Sequence, residues 1–117
     1  MSETHRAVAI LASRDLKVSE AFYARLGFRV VSDHGHYLIL SDGREWHLHL
    51  SAAQWPGRIE DNPFGLYLYV DDVDAVADRV RDLILAPGSP ELKPWGTYEF
   101  AVSDPDGTLV RIGRISD

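Results

Sequence analysis

One order of elements is written twice within 117 residues, and this constrains the fold more than any other feature of the chain. Arg6 to Ala12 alternates small and branched apolar residues, as a strand does. Asp15 stands where a helix N-cap belongs, Val18, Phe22 and Leu26 follow at i, i+4 and i+8, and Gly27 is the expected stop. Phe28–Val31, Tyr37–Leu40 and Glu45–Leu50 are three further β-favouring runs. The last has clean period two, with Trp46, Leu48 and Leu50 on one side and Glu45, His47, His49 and Ser51 on the other. A polar passage broken by Pro56, Gly57 and Pro63 follows, and then the order restarts. Gly65 to Val70 reads as a strand with Tyr67 and Tyr69 on one face. Asp71 or Asp72 caps a helix carrying Val73, Val76, Val80 and Leu83, and Ala86 to Lys93 leaves room for a short edge strand. Phe100–Val102 and Thr108–Ile112 then form a hairpin around Asp104-Pro105-Asp106-Gly107. There proline presets φ, the aspartates bond the local backbone, and glycine accepts the exit conformation.

Each half alone is too small to bury its own sheet and helix. The expectation is therefore one α+β domain of duplicated βαβββ units, forming a curved mixed sheet cup with helices on the outside. Repeat one spans about 5–51, a connector about 52–63, and repeat two about 64–115. By this pattern Asp15-Leu16 corresponds to Asp72-Val73, and Asp42-Gly43 to Asp106-Gly107.

Several function classes drop out on composition. With no cysteine there is no disulfide framework, thiolate nucleophile or cysteine metal site. A formal charge of −6 argues against nucleic acid as a partner and suits a cationic ligand. No apolar run reaches the ~20 residues of a membrane span, and the first six residues carry no signal pattern, so a cytoplasmic location without membrane contact is expected. There is no glycine-rich phosphate loop and no Gly-x-Ser-x-Gly elbow. Ser51 reads as a strand end, not a nucleophile. Glu99 has the chemistry of a general acid or base, as His47 and His49 do, but an isolated carboxylate beside a strand is usually solvated. His47 has the chemistry of a general base, but nothing upstream orients it. The more coherent set is aromatic: Tyr37, Trp46, Trp55, Tyr67, Tyr69, Trp95 and Tyr98. Trp95, fixed between Pro94 and Gly96, belongs on a rim or in a cleft.

Three stretches carry a resemblance beyond this pattern: Ala21-Phe22-Tyr23-Ala24-Arg25-Leu26-Gly27-Phe28, His47-Leu48-His49-Leu50-Ser51, and Trp95-Gly96 followed by Glu99-Phe100-Ala101-Val102 and Asp104-Pro105-Asp106-Gly107. With the repeat they cover nearly the whole chain, which resembles the glyoxalase/bleomycin-resistance (vicinal oxygen chelate) superfamily and within it the antibiotic-binding branch. Metal-using members place four ligands at positions that fall here on Val8, His49 (or His47), Gly65 and Arg111. Val8 and Gly65 have no donor and Arg111 is a permanent cation, so no metal and no cofactor is expected. The His47/His49 pair, with His34 and His36 nearby, has no carboxylate or thiolate partner in register. In the branch it resembles, a planar heteroaromatic drug is gripped between aromatic residues in a cleft. The matching lining is Tyr37, His49, Ser51, Asn62, Tyr67, Trp95 and Gly96, to which His47 and Tyr98 are added as neighbours. The resemblance implies a non-catalytic homodimer that sequesters a bleomycin-type or other planar cationic antibiotic. The alternative is a metal-independent enzyme of the same superfamily acting on a small polar substrate.

Overall fold

A computed structural model describes residues 5–54 and 56–116. The first unit runs β1 (Ala9–Ser13), α1 (Leu16–Leu26), β2 (Arg29–Asp33), β3 (Tyr37–Ser41) and β4 (His47–Ala52). The second runs β5 (Gly65–Tyr69), α2 (Val73–Arg79), β6 (Glu91–Leu92), β7 (Thr97–Ser103) and β8 (Leu109–Ile115). The α+β class and the duplicated βαβββ order are as expected. Each unit, however, makes its own four-stranded sheet, in the orders β1-β4-β3-β2 and β5-β8-β7-β6. In both, the first strand is parallel to the last and the remaining pairs are antiparallel. Among the described residues no helix is long and apolar enough to cross a membrane. Trp55, one of the aromatic candidates, lies outside the described residues.

The Asp15 carboxylate accepts the N–H groups of Lys17 and Val18 at 3.1 and 3.3 Å, and Gly27 at φ 110° closes α1. The buried face of α1 is Ser19, Phe22, Tyr23 and Leu26, whereas Val18 points to solvent. Phe22 and Leu26 are placed as the spacing predicts; Val18 yields to Ser19 and Tyr23, whose hydroxyls have partners inside. α2 is shorter than its apolar spacing suggests. It ends at Arg79, whose carbonyl accepts Nη2 of Arg25 at 3.0 Å, while Arg79 Nη1 donates to the Leu26 carbonyl at 3.2 Å. Each helix C-terminus is thus closed by an arginine of the other, the charge sign that a helix C-terminus favours.

A single apolar core joins both units. Leu38, Leu40, Leu48 and Leu50 of the first sheet and Leu68, Phe100, Val102, Val110 and Ile112 of the second cluster with the helix residues Phe22, Tyr23, Leu26, Val73, Val76 and Ala77. The helices cover the sheet faces expected of them, but the covered faces of the two units meet in this one core. The residues of opposite parity form the open face of each sheet.

The two hairpin turns have five residues each, 42–46 and 104–108. In both, the first aspartate donates its N–H to the fifth carbonyl and accepts the third and fifth N–H groups on Oδ1. Asp42 therefore corresponds to Asp104. The pairing of Asp42-Gly43 with Asp106-Gly107 is two residues out of step, because the shared feature is the aspartate's bonding and the glycine occupies different places in the two loops. The second turn is inserted against the first unit. Tyr23 Oη donates to Asp104 Oδ2 at 2.7 Å, and Arg14 Nε and N–H reach Asp106 Oδ1 at 2.9 and 3.2 Å. Asp104 and Asp106 are buried. Burial raises the Asp104 carboxyl above its ordinary range despite these bonds, and burial beside Asp104 pushes the Tyr23 phenol far up.

Candidate functional site

Period two places Tyr37, His47, His49 and Ser51 on the open face of the first sheet, half-buried. Tyr37 lies directly across from Ser51, and its hydroxyl is 2.7 Å from His49 Nδ1. His47, one turn of the pleat further along, has Nε2 3.2 Å from Arg6 Nη1. These four candidates form one contiguous row.

Tyr67, Trp95 and Gly96 belong instead to the open face of the second sheet. Gly96 adopts φ 92°, and the tight turn it allows sets Trp95 at the strand's edge, 67% exposed. The indole is nevertheless anchored, because Trp95 Nε1 donates to Glu99 Oε1 at 3.4 Å. The same oxygen accepts Tyr67 Oη at 3.1 Å and Thr97 Oγ1 at 2.5 Å, while Arg111 Nε stands 3.6 Å from Oε2. Glu99 is 2% exposed, a correction to its reading as a solvated carboxylate. Burial opposes its ionisation, but the bonds from Thr97, Tyr67 and Trp95 and the charge of Arg111 hold the carboxyl below its ordinary range. Burial, followed by the bond to Glu99, pushes the Tyr67 phenol up.

Tyr67 on β5 reaches Glu99 on β7 by crossing over β8, and Gly113 makes the crossing possible. A Cβ there would fall well inside contact distance of Tyr67 Oη, the Glu99 side chain and the Tyr98 carbonyl. Glu99, Arg111 and Gly113 occupy the positions that Tyr37, His49 and Ser51 hold in the first hairpin. A pocket of about 140 Å³ opens beside this cluster, lined by Glu91, Lys93, Trp95, Glu99 and Arg111 with Pro87. A larger opening of about 1010 Å³ lies between the units, lined by Arg44, Trp46, Tyr67, Tyr69 and Arg79. It flanks the first turn at the place matching the seat that the second turn fills, and it is open to solvent. The buried, multiply bonded carboxylate marks the smaller pocket as the better-built site.

Two candidates stand apart. The Asn62 amide donates to the Asp106 carbonyl at 2.9 Å and to Thr108 Oγ1 at 3.3 Å, while its oxygen accepts the Phe64 N–H at 2.9 Å. The amide nitrogen holds the connector to the turn, and the oxygen fixes the backbone two residues on. Tyr98 has the opposite parity to Glu99: its hydroxyl donates to Asp74 in the first turn of α2 at 2.7 Å, and Arg114 lies 5.1 Å over its ring. Thr97, Arg111 and Gly113 were not anticipated as site residues. The period-two row Thr97, Glu99, Ala101 was available as a signal for the first, whereas Gly113 has meaning only once β5 lies beside β8.

A divalent ion does not fit the positions that the resemblance implies for a metal. Val8 and Gly65 offer no donor, Arg111 is a cation facing Glu99, and among the described residues no three of His, Asp and Glu gather as a metal centre requires.

Residues 7–116 match the family model of the glyoxalase-like domain. A bleomycin resistance protein from Klebsiella pneumoniae is 32% identical over 123 residues, spanning 93% of this chain and 91% of that protein. A bleomycin-binding protein crystallised in complex with bleomycin is similar with a TM-score of 0.80 and 32% identity, covering 95% of this chain and 98% of that one. A bleomycin resistance determinant encoded on the transposon Tn5 is similar with a TM-score of 0.82 and 31% identity, covering 96% and 98%.

Proposed function

This chain belongs to the glyoxalase-like domain family, in its bleomycin-resistance branch, and from that premise we propose that it is a non-catalytic protein that sequesters bleomycin or a related planar, cationic antibiotic. The observation that carries this reading is Trp95. Its ring is largely exposed while its N–H is tied to a buried carboxylate, so a flat aromatic surface is held out towards solvent. Such a surface binds a planar heteroaromatic by stacking and needs no chemistry. The net charge of −6 favours a cationic ligand. Sequestration in the cytoplasm requires only affinity and slow release.

A homodimer with clefts at the subunit interface fits the same reading. Tyr37, His49 and Ser51 stand on the open face of the first sheet, and Tyr67, Trp95 and Gly96 on or beside that of the second. A second copy would set the first sheet of one subunit against the second sheet of the other. The exposed Ile10, Tyr69 and Ile115 support such a covering of these faces.

The test is titration of metal-free protein with copper-free bleomycin, followed by heat and tryptophan fluorescence. Saturable binding near one ligand per chain is expected. Trp95→Ala is expected to weaken it by about tenfold with an unchanged melting curve, since an aromatic pair contributes ~0.5–1.5 kcal/mol beyond the area it buries. Unchanged affinity in that variant would overturn the placement of the site, and absence of saturable binding the choice of ligand. The hydrogen-bonded Tyr37–His49 pair favours a second reading, a metal-independent enzyme acting on a small polar substrate. Turnover that survives a chelator and disappears in His49→Ala would establish it.

A further inference from the structure

On the open face of the second sheet, donors from three separate places converge on one oxygen. Tyr67 comes from β5, Trp95 from the turn between β6 and β7, and Thr97 from the start of β7; all donate to Glu99 Oε1. Among the described residues Oε2 has the longer contact with Arg111 of β8, at 3.6 Å, beyond hydrogen-bonding distance. A ring as exposed as that of Trp95 has little packing to choose its rotamer, so its bond to the carboxylate is the principal restraint on where it points.

We infer that Glu99 is the positioning residue of the aromatic face, setting the angles at which Trp95 and Tyr67 meet a ligand without stacking on the ligand itself. The inference rests on the binding reading above and deepens it. A ring held in its bound orientation beforehand loses less freedom on binding, so the carboxylate acts on affinity through the rings. Each of the three bonds is charge-assisted while Glu99 is ionised and weakens when it takes up a proton. The charged and titratable groups around it are Tyr67 from β5, Arg111 from β8, and Glu91 and Lys93 at β6, which pair with each other at 2.5 Å. Protonation of Glu99 should therefore loosen Trp95 in acid.

The decisive measurement needs no ligand. In ¹H–¹⁵N spectra the Trp95 indole N–H resonance, identified by its loss in Trp95→Phe, is expected to move as pH falls below the ordinary carboxylate range. It should stay still over that range in Glu99→Gln. Tyr67→Phe, which relieves the shared oxygen of one donor, is expected to shift the same resonance at neutral pH, and this holds as a test should Glu99→Gln fail to fold. Copper-free bleomycin is expected to bind Glu99→Gln about tenfold more weakly, the scale of losing charge assistance in a hydrogen bond. In a Trp95→Phe/Tyr67→Phe background the same change should alter affinity by less than about twofold, since the partners through which Glu99 acts are gone. An indole resonance indifferent to pH and to Tyr67→Phe, or an equal affinity loss in both backgrounds, overturns the inference. If the unmodified protein does not bind bleomycin, the choice of ligand fails while the indole titration still decides whether Glu99 holds Trp95.

Discussion

Burial raises the energy of a carboxylate, and at Glu99 that penalty is offset by Thr97, Tyr67, Trp95 and Arg111 gathered around one side chain. The folded carboxyl therefore titrates below the unfolded one, near ~4.3 for Glu. A group shifted in this direction contributes stability above the unfolded pKa and loses it as pH falls through the folded pKa. Glu99→Gln is accordingly expected to lower stability at neutral pH and to flatten the acid limb of stability against pH, read from denaturant melts between neutral and strongly acid solution. Asp104 has the opposite sign. Its carboxyl is raised, so its burial penalty is relieved on acidification and cannot be the source of the acid loss. An acid limb equally steep in Glu99→Gln would place that loss elsewhere.

At the level of elements, caps and periods were legible because they act over a few residues. Asp15, Gly27 and Asp72 stand at helix ends for reasons present in their own neighbourhoods. The faces were legible for strands and less so for α1, where the polar Ser19 and Tyr23 point inward because buried partners await them from Ser13 and Asp104. The end of α2 was not legible, since it is set by Arg25 of the other helix. The same limit applies to the order of strands, which gives Gly113 its role. Because Tyr67 crosses β8 at that point, Gly113→Ala is expected to displace Tyr67 or Glu99 and to lower stability by ~1–3 kcal/mol, the usual scale of overpacking. The variant's denaturant midpoint and its Trp95 indole shift would report this together. A neutral result would mean that Tyr67 does not lie over Gly113.

Across the whole molecule, the two units are joined by apolar packing and by a buried polar lock at the turn 104–108. Removing one hydroxyl tests the lock. Tyr23→Phe leaves Asp104 Oδ2 without its donor in a buried setting and is expected to lower stability by ~1–3 kcal/mol. Tyr98→Phe, which removes a more exposed bond to Asp74, should change the thermal midpoint far less. Equal effects of the two would remove the special place given to the turn. The sequence by itself determined the class of this protein and the order strand, capped helix, three strands, twice over, because period, cap and turn chemistry are local. Only the tertiary structure decided that the covered faces of two separate sheets share one core, that Arg14 meets Asp106 across 92 positions, and that Tyr67 meets Glu99 across 32. Those meetings depend on how two sheets pack against one another, and burial, not local propensity, selects that packing.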